Sequence, residues 1–109
     1  METYKVIVDP DAEKSLNDIF LYILNNLRSP ESAENTSYAL LKAINSLDFM
    51  PQRYAVLPED FLEKEGIRRM QVRNYFVYFN VDEANKRVNI LDVLYVGREQ
   101  REQFESEEE

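Results

Sequence analysis

Apolar residues along this chain follow two different periods, and the change of period separates predicted helices from predicted strands. From Asp9 to about Leu27, apolar side chains recur every three or four residues, a pattern typical of an amphipathic helix. Asp9 can cap this helix, with a proline at the first helical position. Ser29 and the proline after it repeat the start signal and predict a second helix to about Phe49. Because the connection is short, the two helices should form an antiparallel hairpin.

The second period is an alternation typical of β-strands. Residues 67–96 are dense in β-branched and aromatic side chains, and turn formers interrupt them at Asn74 and at residues 82–86. This pattern predicts three antiparallel strands, and the short apolar run at residues 4–8 predicts a fourth. The fold class is therefore α+β, in the order β-α-α-β-β-β, with the hairpin on one face of a small, mainly antiparallel sheet. We expect seven side chains to be nearly fully buried: Leu16, Ile19, Ile23, Leu40, Ile44, Val77 and Phe79.

Length and charge divide the chain into a single domain and an acidic tail. The 109 residues suit one domain, which we place at residues 1–104, and the acidic residues 105–109 are expected to be disordered. The net charge is −8, but residues 67–101 carry seven basic and four acidic side chains. The overall sign argues against indiscriminate nucleic-acid binding, while it permits a local arginine cluster on the sheet.

Missing residue types narrow the chemistry. The chain contains no cysteine and no histidine, which removes thiolate chemistry and the commonest general base and metal ligand. We therefore expect neither a metal nor a cofactor. No apolar run approaches the roughly 18 residues that a membrane span needs, and no signal peptide is apparent. These features predict a cytoplasmic protein without membrane contact.

Alternation along the strands predicts that one face of the sheet meets the hairpin and that the other gathers arginine and aromatic side chains. Guanidinium groups beside aromatics suit contacts to phosphates and bases, or to a peptide. An ordinary half-solvated sheet, with arginine stems lying over aromatics, explains the same pattern. The residues assigned to this second face, or to the segment that follows it, are Arg69, Gln71, Arg73, Phe76, Tyr78, Asn80, Arg98 and Arg101.

The hairpin carries more apolar residues than one buried face can hide. Phe20 and Leu24 on the first helix, and Tyr38 and Leu41 on the second, widen the apolar stripes. This surplus predicts a hydrophobic groove large enough for a segment of a partner protein. The alternative is that these side chains only widen the contact between the two helices.

Five stretches of the chain, taken in their order and spacing, resemble the RelE/ParE toxin superfamily, also known as plasmid stabilisation proteins. The resemblance implies the toxin of a type II toxin–antitoxin pair, which inhibits growth and is neutralised by a cognate antitoxin of RelB or ParD type. RelE-like members cut mRNA on the ribosome without a metal, whereas ParE-like members inhibit DNA gyrase and cleave nothing. The stretches are Tyr4–Ala12, Leu47–Pro51, Ile67–Met70, Asn74–Glu83 and Val93–Arg98.

The resemblance also assigns roles to single residues. Arg69 and Arg98 match catalytic basic positions of RelE-like enzymes, and Phe104 falls near a terminal tyrosine without having its hydroxyl. Phe76 stands where those enzymes place an arginine. These departures favour a ParE-like toxin that binds gyrase. A RelE-like endoribonuclease, and a non-toxic member that acts with its antitoxin in autoregulation, are the alternatives, and a homodimer is a further partner to consider. Strand alternation, the segment after Gly97 and the resemblance together give the predicted contact residues, which are Arg73, Phe76, Tyr78, Arg101 and Phe104.

Overall fold

The computed structural model describes residues 3–58 and 66–97, which form two helices on one four-stranded sheet. The predicted α+β order of elements is confirmed. Two short 3-10 turns, Ser46–Asp48 and Pro51–Arg53, follow the second helix. The helices and strands are β1 (Lys5–Val8), α1 (Pro10–Asn26), α2 (Pro30–Asn45), β2 (Arg68–Val72), β3 (Tyr75–Asp82) and β4 (Arg87–Tyr95).

The two helices begin as the sequence indicates, but the second ends earlier than predicted. Pro10 and Pro30 are the first residues of α1 and α2, and the Ser29 hydroxyl accepts a hydrogen bond from the Ser32 backbone N–H at 3.2 Å. Asp9 occupies the N-cap position of α1 without a side-chain cap bond. Helix α2 ends at Asn45 rather than near Phe49, and the 3-10 turn at Ser46–Asp48 follows it.

The sheet is mixed, with strand order β1-β4-β3-β2. Strands β2, β3 and β4 form the predicted antiparallel meander, whereas β1 is an edge strand that pairs with β4 in parallel. A register shift interrupts the β3–β4 ladder, where Tyr78 pairs with Asp92 and Phe79 pairs with Ile90. Such a bulge changes the direction of neighbouring side chains. Beside this bulge, the Ser15 hydroxyl of α1 donates a hydrogen bond to the Asp92 carboxylate at 2.6 Å.

The main core lies between the hairpin and one face of the sheet. Five of the seven predicted core side chains are buried, but Leu16 and Ile19 are only partly buried. The reason is that each of these two residues borders a groove of the hairpin rather than the middle of the core. The buried members of the core are Tyr4, Ala12, Leu40, Ile44, Leu47, Met70, Val77, Phe79, Val88, Ile90 and Val93.

A hydrogen-bonded clasp joins the start of the chain to the turn between β3 and β4. The Tyr4 hydroxyl donates to Glu83 at 2.9 Å and accepts a bond from the Gln52 side-chain amide at 2.6 Å. Gln52 also donates to Glu83, and Lys86 lies 3.4 Å from the same carboxylate. Among the described residues, no helix is both long and apolar enough to cross a membrane.

Candidate functional site

A large cleft lies at one end of the hairpin, between the second half of α1, the first half of α2 and the nearby end of the sheet. It encloses about 1020 Å³, and the turn between β2 and β3 closes one of its sides. Eight of its fourteen lining residues are apolar or aromatic, and the other six are polar, with charged side chains contributed by Asp18 and Arg73. The large apolar side chains that line it are Ile19, Tyr22, Ile23, Leu27, Tyr75, Val93, Leu94 and Tyr95.

Three of these apolar side chains are exposed to solvent. Tyr22 is 55% exposed, Leu27 is 60% exposed and Tyr95 is 49% exposed. Single apolar residues on a surface are common, but a cluster of large ones around one concavity is typical of a binding site. The cleft therefore has the surface character expected for contact with an apolar segment.

Tyrosines form one wall of the cleft. The rings of Tyr75 and Tyr95 meet edge to face with centroids 5.7 Å apart. Burial raises the pKa of Tyr75 above its ordinary value of 10.0, and the Tyr95 and Tyr22 phenols raise it further. The Tyr75 hydroxyl therefore remains protonated at neutral pH and can both donate and accept a hydrogen bond.

Arg73 occupies the turn at the edge of the cleft. Its backbone has a positive φ of 54°, and its guanidinium Nη1 donates to the Thr36 Oγ1 of α2 at 3.4 Å. Among the described residues, this is the only hydrogen bond of the Arg73 side chain. A guanidinium offers five donors in a planar fork, which suits a carboxylate or a phosphate.

A second, smaller groove of about 600 Å³ lies elsewhere on the hairpin surface. Leu16 and Phe20 of α1 and Leu41 of α2 supply its apolar part, and Glu13 and Lys14 bring charges of opposite sign. Leu41 is 49% exposed, whereas Phe20 is partly buried. Of the four residues in the predicted apolar surplus, Phe20 and Leu41 line this smaller groove, and none lines the large cleft.

The far face of the sheet, opposite the hairpin, differs from the open face that the sequence suggested. The Arg69 guanidinium lies over the Phe76 ring with its central carbon 4.1 Å from the ring centroid, and the Phe76 and Tyr78 rings are 6.2 Å apart. Tyr78 is completely buried, and Ile67 is 1% exposed. Alternation sorts side chains between two faces but does not tell how each face is covered. Tyr78 therefore lies in a closed environment.

The predicted contact residues do not share one surface. Arg69 and Phe76 are together on the far face, but Arg73 reaches α2 because β2 ends at Val72 and the turn breaks the alternation. The predicted placement of Arg73 beside Arg69 is thus wrong. Arg98, Arg101 and Phe104 lie outside the described residues.

Sequence reasoning missed several residues that line the large cleft. The exposed apolar residues of the cleft are Tyr22, Leu27 and Tyr95. Thr36 accepts the hydrogen bond of the Arg73 side chain. Tyr22 and Leu27 follow Ile19 at spacings of three and eight residues, so the helical stripe contained a signal that could have identified them. Within residues 3–58 and 66–97, no group of three or more acidic residues is arranged to hold a metal ion.

Three solved toxin–antitoxin structures are similar in fold to this chain. The chromosomal ParDE system from P. aeruginosa superposes with a TM-score of 0.71 at 20% identity, covering 86% of this chain and 97% of the other. The RelBE2 toxin–antitoxin complex from Mycobacterium tuberculosis gives 0.61 at 19% identity, with 85% and 98% covered. The archaeal RelE–RelB complex from Pyrococcus horikoshii OT3 gives 0.58 at 20% identity, with 88% and 98% covered.

Sequence comparison agrees with the comparison of folds. No curated protein matches the chain in sequence. The model of the ParE toxin of the type II toxin–antitoxin system parDE, however, matches residues 6–100, which is most of the chain and includes both helices and all the strands except the first residue of β1. On this match, the chain belongs to the ParE toxin family of type II toxin–antitoxin systems.

Proposed function

We propose that this chain is a toxin that inhibits growth by binding DNA gyrase, and that a cognate antitoxin of ParD type neutralises it. The observation that carries the proposal is the match of residues 6–100 to the ParE toxin family. ParE-like toxins act by binding rather than by cleavage, which is the mode that we propose here. Such a toxin acts in the cytoplasm, where gyrase is found.

Among the described arginines, Arg69 and Arg73 do not converge on one site. Electrostatic catalysis of phosphodiester cleavage requires several donors directed at one phosphate. In the described part of the chain, Arg69 lies on the ring of Phe76 on the far face, and Arg73 contacts Thr36 on the hairpin side. Two guanidinium groups on opposite sides of the sheet do not bind the same phosphate.

Growth inhibition and its cause test the proposed target. Expression of the chain should stop growth, with loss of supercoiling before loss of translation, and the purified chain should inhibit supercoiling by gyrase in vitro. Early loss of translation with intact supercoiling would instead support the RelE-like alternative. Full growth during expression would support a non-toxic member that acts with its antitoxin in autoregulation.

Ribosome assays provide the complementary test. We expect programmed ribosomes to show no mRNA cleavage when the wild-type chain is added. If cleavage occurs, Arg69→Ala and Arg98→Ala should each reduce its rate on the order of 10²-fold, as expected for donors to a transition state. Any mRNA cleavage by the wild-type chain would be enough to overturn the proposal that the chain acts by binding gyrase.

The antitoxin is tested separately. The product of the small reading frame beside this gene should form a stable complex with the chain on co-expression, and the complex should restore growth. The three similar structures belong to toxin–antitoxin systems, which supports this expectation. Co-purification of the chain with nothing, and as a single species, would count against an antitoxin partner.

A further inference from the structure

We infer that the free edge of β1 pairs antiparallel with the same edge of a second copy of this chain, which joins two sheets into one across a two-fold axis. The axis passes beside Ile7, and Lys5 of each copy faces Asp9 of the other. The contact uses the edge strand and neither groove of the hairpin. It therefore does not depend on the proposed target or on the antitoxin.

The backbone of β1 has a bonded side and an open side. The N–H groups of Lys5 and Asp9 donate, each at 2.9 Å, to backbone carbonyls at or just before β4. Because successive backbone groups of a strand alternate in direction, the N–H and C=O groups of Val6 and Val8 point away from β4. Within the described chain, no hydrogen bond occupies these groups on the open side. Such an edge is a template for a further strand.

The sequence of β1 selects one register for a two-fold pairing. When Ile7 lies opposite Ile7 of the second copy, Val6 faces Val8 and Lys5 faces Asp9. Each Val6–Val8 pair then exchanges both of its N–H···O=C bonds, as residues in an antiparallel hydrogen-bonded pair do. Shifting one copy by two residues in either direction sets a charged side chain against Ile7. The register centred on Ile7 is therefore the one that matches both charge and backbone direction.

Lys5 and Asp9 are available for this contact. They lie on the same face of the sheet, since they are separated by an even number of positions along the strand. Lys5 is exposed and Asp9 is partly exposed, and neither forms an ion pair with a described residue. Asp9 occupies the N-cap position of α1 without a side-chain cap bond. Opposite charges placed directly across two antiparallel strands stabilise their pairing.

Ile7 is an apolar residue on a polar part of the far face. Val6 and Val8 pack against the core on the hairpin side, whereas Ile7, which is partly exposed, does not. Its neighbour in the sheet is Asn89, whose side-chain amide donates to Asn80 at 2.9 Å. In the paired register the two Ile7 side chains meet at the axis, in a non-hydrogen-bonded pair where side chains approach most closely. The second copy thus covers an apolar side chain that the fold leaves open.

The other edge of the sheet, β2, is less suited to pairing with its own copy. Val56 already forms a bridge to Arg68 there, and the Leu57 N–H donates to the Ile67 carbonyl at 2.7 Å. Strand β2 also contains two adjacent arginines and no acidic residue, so a copy of it offers no opposite charge. Of the two sheet edges, only β1 is both open and complementary to itself in charge.

The paired segment is short. At the next position Tyr4 donates its N–H to the Asp48 carbonyl at 2.8 Å, and Pro10, which would lie opposite, has no N–H. The ladder therefore extends over residues 5–9 of each copy. Small contacts of this kind are typical of weak association, so we expect a dimer at high concentration and a monomer at low concentration.

Charge reversal tests the register. Lys5→Glu places acid against acid at both ends of the ladder, and Asp9→Lys places base against base. Each variant should therefore dimerise about tenfold more weakly than the wild type. An equimolar mixture of the two variants should form heterodimers with the affinity of the wild type, because every charge then meets its opposite. Sedimentation equilibrium of the purified full chain, from about 1 μM to about 1 mM, measures these affinities.

Amide exchange locates the edge without a substitution. As the concentration of the wild type rises, the Val6 and Val8 amides should exchange more slowly with solvent, whereas the Ile7 amide, which faces β4, should not change. Val6→Pro removes a donor on the open side and should weaken the dimer more than its matched control Val6→Ala, which keeps that donor. Circular dichroism would check that each variant folds.

Three results would overturn the inference. The first is a chain that remains monomeric up to about 1 mM. The second is a dimer that leaves exchange at Val6 and Val8 unchanged, because its interface then lies elsewhere, for example at a groove of the hairpin. The third is a mixture of Lys5→Glu and Asp9→Lys that associates no better than either variant alone. None of these results bears on the growth or gyrase assays, so the two proposals fail separately.

Discussion

The two ends of the helix hairpin differ in how the sheet meets them, although the same two helices form both ends. At the closed end, Ala12 at the start of α1 and Leu40 and Ile44 in the second half of α2 are at most 1% exposed. At the open end, Tyr22 and Leu27 are more than half exposed beside the large cleft. Since both ends have regular helical structure, the comparison separates apolar residues that hold the fold from apolar residues left available for a partner.

The difference between the ends comes from what each one meets. The closed end packs on the central strands, where Val77 and Phe79 are completely buried. The open end meets the margin of the sheet, where the β2–β3 turn and the end of β4 leave about 1020 Å³ unfilled. At the open end Ile23 of the same helix is still buried, at 5% exposed, while Tyr22 and Leu27 beside it are left exposed at the cleft.

The largest expected effect compares one leucine from each end. Leu40→Ala should lower the free energy of unfolding by about 2–5 kcal/mol, because it leaves a cavity in the closed core. Leu27→Ala, at a 60% exposed position, should change it by no more than about 0.5 kcal/mol. Urea denaturation of the isolated chain measures both, and similar losses at the two positions would break the distinction between the ends.

The helices, the meander and the main core could be predicted from periodicity, because the spacing of apolar residues follows directly from helix and strand geometry. The parallel pairing of β1 with β4 could not be predicted from periodicity, because strand pairing depends on contacts between residues that are distant in sequence. Arg73 was misplaced for a local reason, since the alternation ends with β2 and the turn redirects the side chain towards Thr36.

The burial of Tyr78 and the partial exposure of Leu16 and Ile19 have a common cause. Periodicity gives the direction of a side chain, but burial depends on whether another element covers that direction. For the same reason the sequence indicated a surplus of apolar residues on the hairpin, but none of the four residues that it singled out lines the large cleft.

A smaller effect tests the boundary between the two ends. Ser15 borders the cleft, and its hydroxyl donates to the Asp92 carboxylate at 2.6 Å, connecting α1 to the bulged part of the sheet. Ser15→Ala should cost about 1–3 kcal/mol, because a partly buried carboxylate loses one of its donors. In the Ser15→Ala variant the Asp92 carboxylate would still accept the hydrogen bond from the Val93 backbone N–H at 2.8 Å. We therefore expect a loss in the lower part of this range. Thermal unfolding followed by circular dichroism would measure the loss, and an unchanged midpoint would show that the bond does not secure α1.

At the open end, stability should depend on local features such as the cap of α2. The Ser29 hydroxyl accepts the only side-chain cap bond found at the start of either helix in the described chain. Ser29→Ala should cost about 1 kcal/mol, whereas Ser29→Asp, which preserves a good cap, should cost much less. The pair would be compared by urea denaturation. Equal stability of the two variants would show that the start of α2 does not depend on its cap.

The smallest effect concerns acid and the clasp between Tyr4, Gln52 and Glu83. Hydrogen bonds from Gln52 and then Tyr4 hold the pKa of Glu83 below its ordinary value of 4.5. Because the pKa is lower in the folded chain than in the unfolded chain, the contribution of this carboxylate to stability is complete above about pH 4.5 and declines as the pH falls through the folded pKa. Glu83→Gln should therefore weaken the acid dependence of stability below about pH 4.5.

Asp82 is a second carboxylate that should contribute to the acid dependence of stability. Hydrogen bonds from Asn85, together with Arg87, hold the pKa of Asp82 below its ordinary value of 3.8, so Glu83→Gln should retain part of the acid sensitivity. Urea midpoints measured in steps from about pH 6 to pH 3 would compare the wild type, Glu83→Gln and the double variant Asp82→Asn/Glu83→Gln. Acid sensitivity should decrease in that order. Three parallel curves would show that neither carboxylate contributes net stabilisation.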